Sequence, residues 1–110
     1  MNIEELREYC IKKENVEEAF PFDQDTLVFK VNGKMFLLSG ISEHPVQFNV
    51  KCDPEEALEL RANHPNVLPG YHMNKKHWNT VICDGSVSKK LLFKWIDVSY
   101  NLVAKKKTPG

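Results

Sequence analysis

The 110-residue chain contains only three cysteines, five glycines and two arginines, and it has no long hydrophobic run. The cysteines Cys10, Cys52 and Cys83 are far apart, and no Cys-x-x-Cys pair occurs. This spacing argues against a disulfide framework, a zinc ribbon or a dithiol redox site, and it predicts reduced thiols. No apolar stretch approaches the roughly 20 residues that a membrane span needs, and the acidic start is unlike a signal peptide. We therefore expect a cytoplasmic protein without membrane attachment.

Common catalytic signatures are also missing. The chain has no Gly-rich phosphate loop, no Gly-x-Ser-x-Gly elbow and no His-Glu-x-x-His helix. The three imidazoles of His64, His72 and His77 could in principle bind a metal, but they follow no recognisable ligand spacing. Hydrogen bonds from His72 and His77 to loop carbonyls are the simpler interpretation. The sequence predicts a protein that is not an enzyme and that holds no metal or other cofactor.

Charge is balanced overall but uneven along the chain. Fifteen basic and fifteen acidic residues give a net charge of zero. Residues 1–25 carry eight acids against three basic residues, whereas residues 72–110 carry eight lysines against two acids. Such a split can create one basic face, although exposed charges are more often simply solubilising.

Periodicity predicts three helices. Apolar residues recur at helical spacing over residues 3–13, behind an Asn2 cap with Glu5 three positions on. A second helix over 53–63 begins with Asp53 as cap, Pro54 in the first turn and Glu56 completing a capping box. The last helix, over 88–104, carries a wide apolar stripe that can cover a sheet.

Four strands are predicted between these helices. Residues 26–31 and 34–40 read as a hairpin that turns at Asn32-Gly33, a strong hairpin signal. Alternation over 46–50 predicts a third strand with one polar face, and residues 76–83 predict a fourth. The segment 65–73 is too rich in Pro and Gly for regular structure. We expect an α+β domain over 1–104, with helices on one face of an antiparallel sheet. The predicted order of elements is helix, three strands, helix, strand, helix. Residues 105–110 are expected to form a disordered basic tail.

Three motifs indicate a family. The stretch His72-Met73-Asn74-Lys75-Lys76-His77-Trp78-Asn79-Thr80-Val81, together with Val16-Glu17-Glu18-Ala19-Phe20-Pro21-Phe22 and Asp84-Gly85-Ser86, resembles the MmcQ/YjbR proteins. These are small bacterial domains that are often labelled DNA-binding by structural analogy. The resemblance covers nearly the whole chain and implies a frataxin-like (CyaY-like) fold. It also implies a role for sheet hairpins or loops as paired wings that straddle a DNA duplex.

The residues available for such contacts are basic, polar or aromatic. They are Lys30, Lys34, Lys51, His72, Asn74, Lys75, Lys76, His77, Trp78 and Asn79. Lysines would contact phosphates as point charges, so we expect weak, non-specific binding of double-stranded DNA. Trp78 could stack on a base, but a Trp that opens a strand is more often a core residue. Phe20-Pro21-Phe22 is interpreted as a packing plug between the first helix and the sheet, and Trp95 as helical core.

Two other functions stay open. A groove between the segment 65–76 and the sheet, lined by Tyr71, His72, Asn74 and Lys76, could hold an anionic metabolite or a protein partner. Frataxin-like architecture also suggests metal binding by exposed carboxylates of the first helix, which would be weak and unselective. We expect a monomer or a weak dimer in either case.

Overall fold

Six strands form one antiparallel sheet that carries three helices in a computed structural model describing residues 1–70 and 73–105. The elements are α1 Ile3–Ile11, β1 Val16–Ala19, β2 Thr26–Val31, β3 Lys34–Gly40, β4 Gln47–Lys51, α2 Pro54–Asn63, β5 Val67–Pro69, β6 Trp78–Ile82 and α3 Lys89–Ala104. The strand order is β1-β2-β3-β4-β6-β5. Within the described ranges, no helix is both long enough and apolar enough to cross a bilayer.

The predicted helices are confirmed, and side chains fix where they begin. Asn2 and Glu5 form the reciprocal capping box at the start of α1. Asp53 caps α2 by accepting the Glu55 N–H, so the predicted cap is confirmed, but the described residues show no capping box with Glu56. Ser88 caps α3 through the Leu91 N–H. These caps satisfy backbone donors that the first helical turn would otherwise leave unpaired.

The β2–β3 hairpin is also confirmed. Asn32 and Gly33 both have positive φ, as the tight turn requires. The register shifts once, because Phe29 lies opposite Leu37 and Lys30 opposite Met35, which leaves Phe36 as the extra residue of a bulge. Phe36 and Leu37 are both buried in the main core as a result.

Two strands were missed by the sequence analysis. β1 is short and contains Glu17 and Glu18, so its composition favours a loop, but it pairs with β2 along its whole length. The prediction that 65–73 lacks regular structure is wrong for β5, which pairs with β6 at the sheet edge. Pro69 is tolerated there because it lies on an edge strand. The predicted order with four strands is therefore corrected to six.

All three helices contribute to burying one face of the sheet. That face supplies Phe29, Phe36, Phe48 and Val81 to the main core, which α1 joins through Leu6 and α3 through three apolar side chains, Leu92, Trp95 and Ile96. The prediction for Trp95 is confirmed.

The predicted plug of Phe20-Pro21-Phe22 is wrong, because Phe20 is 48% and Phe22 63% exposed. Phe20 lines an open groove beside Ile3 of α1 and Leu27 of β2, and neither ring is enclosed between α1 and the sheet.

The opposite face of the sheet carries a second, smaller cluster. Val28, Leu38 and Trp78 are buried there, and Met35 and Met73 pack against them. Met73 belongs to the segment between β5 and β6, so this segment contributes to covering the helix-free face. Gly70 makes the approach possible, because a Cβ at this position would lie 2.8 Å from Trp78 Cβ.

Candidate nucleic-acid interface

Strand register brings the predicted lysines to one end of the sheet. Lys34 begins β3 next to the hairpin turn, and the antiparallel strand β4 ends at Lys51. Lys51 lies opposite Trp78, the first residue of β6, so the residues before β6 are at the same end. We call this region the basic end, and its members are Lys30, Lys34, Lys51, Lys75, Lys76 and His77.

The lysines of the basic end are not neutralised by ion pairs in the described part of the chain. The ion pairs found there are Arg7–Glu18, Lys13–Asp97 and Lys89–Glu5. Some acidic groups lie near these lysines. Glu17 of β1 is opposite Lys30 of β2, and the first turn of α2, just after Lys51, contains acidic residues. These acids offset part of the positive charge of the lysines.

Helix α3 adds a further cation at this end. The Ser99 hydroxyl accepts the Lys51 N–H and donates to the Phe36 carbonyl, which places the middle of α3 beside the ends of β3 and β4. Tyr100 donates to the carbonyl of Glu14, two residues before β1 begins. The helix continues past this point and ends at Ala104, so the exposed Lys105 follows at the basic end. The tail residues 106–110 lie outside the described residues.

Asn74 organises the loop that carries Lys75 and Lys76. Its side-chain oxygen accepts the Lys76 N–H at 2.9 Å, and its carbonyl accepts the N–H groups of His77 and Trp78 at 3.2 and 3.0 Å. His77 in turn accepts the Cys52 N–H through its carbonyl at 2.8 Å. Asn74 thus acts mainly as a turn residue, while the two lysine side chains extend into solvent.

Arg61 is the residue that sequence reasoning missed. It reaches from α2 and donates through Nε to Asn79 Oδ1 at 2.6 Å, and through Nη2 to the carbonyls of Lys75 and Trp78. Asn79, 1% exposed, also donates to the Ala57 carbonyl of α2 at 3.3 Å. The guanidinium therefore fixes the basic loop to α2 instead of facing a ligand. An arginine in the last turn of a predicted helix gives no sequence signal for this contact.

Burial removes two residues from the predicted contact set. Trp78 is 8% exposed and packs in the second cluster, which agrees with its interpretation as a core residue. Asn79 is a buried structural amide, 1% exposed, so its side chain is not accessible at the basic end. Lys30, Lys34, Lys51, Asn74, Lys75, Lys76 and His77 remain at least partly accessible at the basic end, and His72 lies outside the described residues.

The thiols and carboxylates do not form a reactive or metal-binding centre in residues 1–70 and 73–105. Burial raises the pKa of Cys10 to about 12 and those of Cys52 and Cys83 to about 11, so these thiols are protonated near neutral pH. His64 packs edge-on against Trp95 with ring centroids 5.0 Å apart. Across these ranges no three His, Cys, Asp or Glu side chains lie close enough to hold a metal ion.

The groove predicted beside the 65–76 segment differs from its expected lining. A groove is present on the helix-free face, but its described lining includes Glu43 and neither Asn74 nor Lys76. Tyr71 and His72, which were also predicted to line it, are among the residues not described. The groove extends from the middle of the helix-free face, at Asn49 and Thr80, to the end of the sheet opposite the lysines, where Asp23, Asp25, Glu43 and Asp84 are exposed. We call this region the acidic end.

Comparison with known proteins identifies the family. The family model described as YjbR matches residues 11–102. The chain belongs to the YjbR family. YbdF of Escherichia coli O157:H7 is 42% identical over 88 residues, covering 80% of this chain and 72% of that protein. YjbR of Escherichia coli K12 is 35% identical over 100 residues, covering 91% and 85%. Both relatives are named only as uncharacterized proteins.

Solved structures of YjbR-type domains share the fold. Deinococcus radiodurans DR2400, described with the domain DUF419, superimposes with a TM-score of 0.91 at 43% identity, covering 98% of this chain and 82% of that chain. A Pseudomonas syringae protein gives a TM-score of 0.80 at 30% identity, covering 94% and 99%. The resemblance inferred from the sequence motifs is therefore confirmed, and the α+β fold is that of this family.

Proposed function

We propose that this YjbR domain is a non-catalytic, cytoplasmic binding protein whose basic end contacts double-stranded DNA weakly and without sequence preference. The observation that carries the proposal is the convergence of five lysines, free of ion pairs within the described residues, at one end of the sheet. Adjacent strands are about 4.8 Å apart, so lysines on β3, β4 and the loop before β6 span roughly 10 Å. Duplex DNA carries about one phosphate charge per 1.7 Å of axis, so several phosphates lie within their reach.

The side chains present favour backbone contacts over base reading. Lysine acts as a point charge, whereas arginine supplies the bidentate contact that reads guanine. Arg61 is occupied by the loop carbonyls and Asn79, and Arg7 pairs with Glu18 on α1 and β1. Neutral net charge and the acids near the basic end keep the affinity low. We expect dissociation constants in the non-specific range of about 10⁻⁴ to 10⁻⁶ M at physiological salt.

The frataxin-like (CyaY-like) arrangement is part of this proposal. Its support is that α1 and α3 lie side by side: Glu5 bonds Lys89 near their starts, and Tyr9 and Lys13 bond Asp97 further along both helices. The two terminal helices therefore run in the same direction on one face of the sheet. Superposition on frataxin coordinates, with strand order compared, tests this part.

Removal of two lysines tests DNA binding. The K75A/K76A variant should lose about two units of slope in a plot of log affinity against log salt, since each lost phosphate contact removes about 0.9. Its free energy of unfolding should change by less than about 0.5 kcal/mol, because exposed lysines contribute little to folding. Fluorescence anisotropy of a labelled duplex at several salt concentrations measures the slope, and urea titration measures stability.

The matched control removes the same charge elsewhere. Lys90 and Lys94 are exposed on the first half of α3, away from the basic end, so K90A/K94A should keep the wild-type slope. Equal loss of slope in both double variants would show that binding follows total charge and has no defined site. Absence of wild-type binding at low salt would reject the proposal.

A further inference from the structure

A groove at the acidic end has the dimensions of a small-molecule site. It consists of two adjacent lobes, with volumes of about 450 and 380 Å³, which share Gly40, Glu43 and Asn49 as lining residues. Pockets of roughly 300 to 1,000 Å³ are typical for small ligands. The groove lies on the helix-free face, so no element of the main core fills it.

Apolar side chains form much of its surface. The larger lobe is lined by Phe22, Leu38 and Met73, and the smaller one includes Leu68. Phe22 is 63% and Leu68 44% exposed, whereas Leu38 is buried in the second cluster. A ligand that covers the exposed parts of these side chains would remove apolar surface from water, which is favourable by about 25 cal/mol per Å².

One amide in the groove has its orientation set by the protein. Thr80 donates through Oγ1 to Asn49 Oδ1 at 2.5 Å, on neighbouring positions of β6 and β4. This contact occupies the amide oxygen, and residues 1–70 and 73–105 supply no acceptor for Asn49 Nδ2. The half-buried Asn49 therefore presents a donor to whatever enters the groove.

The electrostatics of the groove favour a cation. Glu43 is the one charged side chain among the described lining residues of both lobes. It lies against the end of β3 because residue 40 is glycine, and a Cβ there would be 2.8 Å from Glu43 Cγ. Asp23 and Asp25 are exposed in the segment that follows Phe22 and add negative charge. An anion would be repelled by these carboxylates, whereas a protonated amine would be attracted.

We propose that this groove binds a small molecule that joins a protonated amine to an aromatic or aliphatic body. The amine pairs with Glu43, and the body lies against Phe22, Leu38 and Leu68. The Phe22 ring can add a cation–π contact, and Asn49 Nδ2 can donate to a hydroxyl or carbonyl oxygen of the ligand. The site uses none of the basic-end lysines and does not depend on the proposed DNA binding.

Phenethylamine is the probe for this site, and 3-phenylpropionate is the control of similar shape and opposite charge. Titration of ¹⁵N-labelled protein should shift the side-chain amide signals of Asn49, with an amine dissociation constant of about 1 mM. We expect 3-phenylpropionate to bind at least about tenfold more weakly, equivalent to about 1.4 kcal/mol.

Two variants and two controls complete the experiment. E43Q should weaken amine binding about three- to tenfold, and F22A should weaken it by a similar factor. E59Q removes an exposed carboxylate from α2 and should leave binding unchanged, as should K75A/K76A. The proposal is overturned if phenylpropionate binds as well as phenethylamine, if E43Q binds like wild type, or if the amine gives no saturable shift up to about 20 mM.

Discussion

The two ends of the sheet differ in charge and in how their loops are held. At the basic end, exposed lysines emerge from a loop that Asn74 and Arg61 fix by hydrogen bonds. At the acidic end, exposed carboxylates surround the exposed rings of Phe20 and Phe22 and an open groove. A net charge of zero therefore conceals lysines gathered at one end of the sheet and carboxylates at the other, with the six residues of β2 spanning about 20 Å between them.

Because the charges are separated in this way, the net charge of the domain does not indicate which ligands it can bind. Exposed charges more than about 8 to 10 Å apart are largely screened at physiological salt. Each end can thus attract its own class of ligand, phosphates at one and amines at the other.

The largest effect is expected when Arg61 is removed, because its guanidinium holds the loop of the basic end through hydrogen bonds to Asn79, Lys75 and Trp78. We call these contacts the Arg61 clamp. R61A should lower the free energy of unfolding by about 2 kcal/mol, because the buried Asn79 Oδ1 loses its charged donor. Amide exchange in residues 74–78 should accelerate, since two loop carbonyls lose their partner. Urea titration and hydrogen exchange measure the two effects.

Arg7 provides the comparison near the acidic end. Its guanidinium pairs with Glu18 in an exposed bidentate contact, so R7A should cost less than R61A. Equal costs for the two variants would show that the Arg61 contacts do not define a clamp.

Regular periodicity and turn chemistry made most of the fold predictable. The Asn2, Asp53 and Ser88 caps and the Asn32-Gly33 turn are local signals that need no distant partner. The short edge strands β1 and β5 were missed because their pairing with β2 and β6 outweighs their own acidic or Pro-containing composition.

The candidate site was predictable only in part. The lysines were found by composition, but their convergence follows from register, which the sequence could not supply. The burial of Asn79 could not be predicted, because its partner Arg61 is distant in sequence and comes from another element. Phe20-Pro21-Phe22 is expected to be a packing plug because two aromatic rings flank Pro21, but the exposure of Phe22 depends on how the chain leaves β1, which no local signal gives.

A moderate effect is expected for the lysines on either side of the hairpin turn. K30A/K34A should flatten the salt dependence of DNA binding by up to about two units if both side chains contact phosphates. D25N/E43Q removes two charges at the acidic end and should leave the slope within error, because that end is beyond the screening length. Anisotropy titrations at several salt concentrations measure the salt dependence of DNA binding for both double variants. If D25N/E43Q changes this salt dependence more than K30A/K34A does, DNA does not bind at the basic end.

The smallest expected effect is a difference in acid sensitivity at the acidic end. Asp23 Oδ1 accepts the N–H groups of Asp25 and Thr26 at 2.9 and 2.7 Å, and these bonds lower the Asp23 pKa below its ordinary value of 3.8. Because the folded pKa is below the unfolded one, the stabilising contribution is complete above about pH 4 and is lost as pH falls through the folded value.

D23N keeps an acceptor oxygen but does not titrate, so its stability should fall less between about pH 5 and pH 3. Some acid sensitivity should persist, since the Ser86 hydroxyl and the Ser86 backbone N–H donate to Asp84 Oδ1 and lower the Asp84 pKa. Urea titrations at several pH values in this range measure the free energy of unfolding. K34A, which leaves both carboxylates in place, should show the same pH dependence as wild type. If D23N also shows the wild-type pH dependence, the Asp23 turn is not formed in solution.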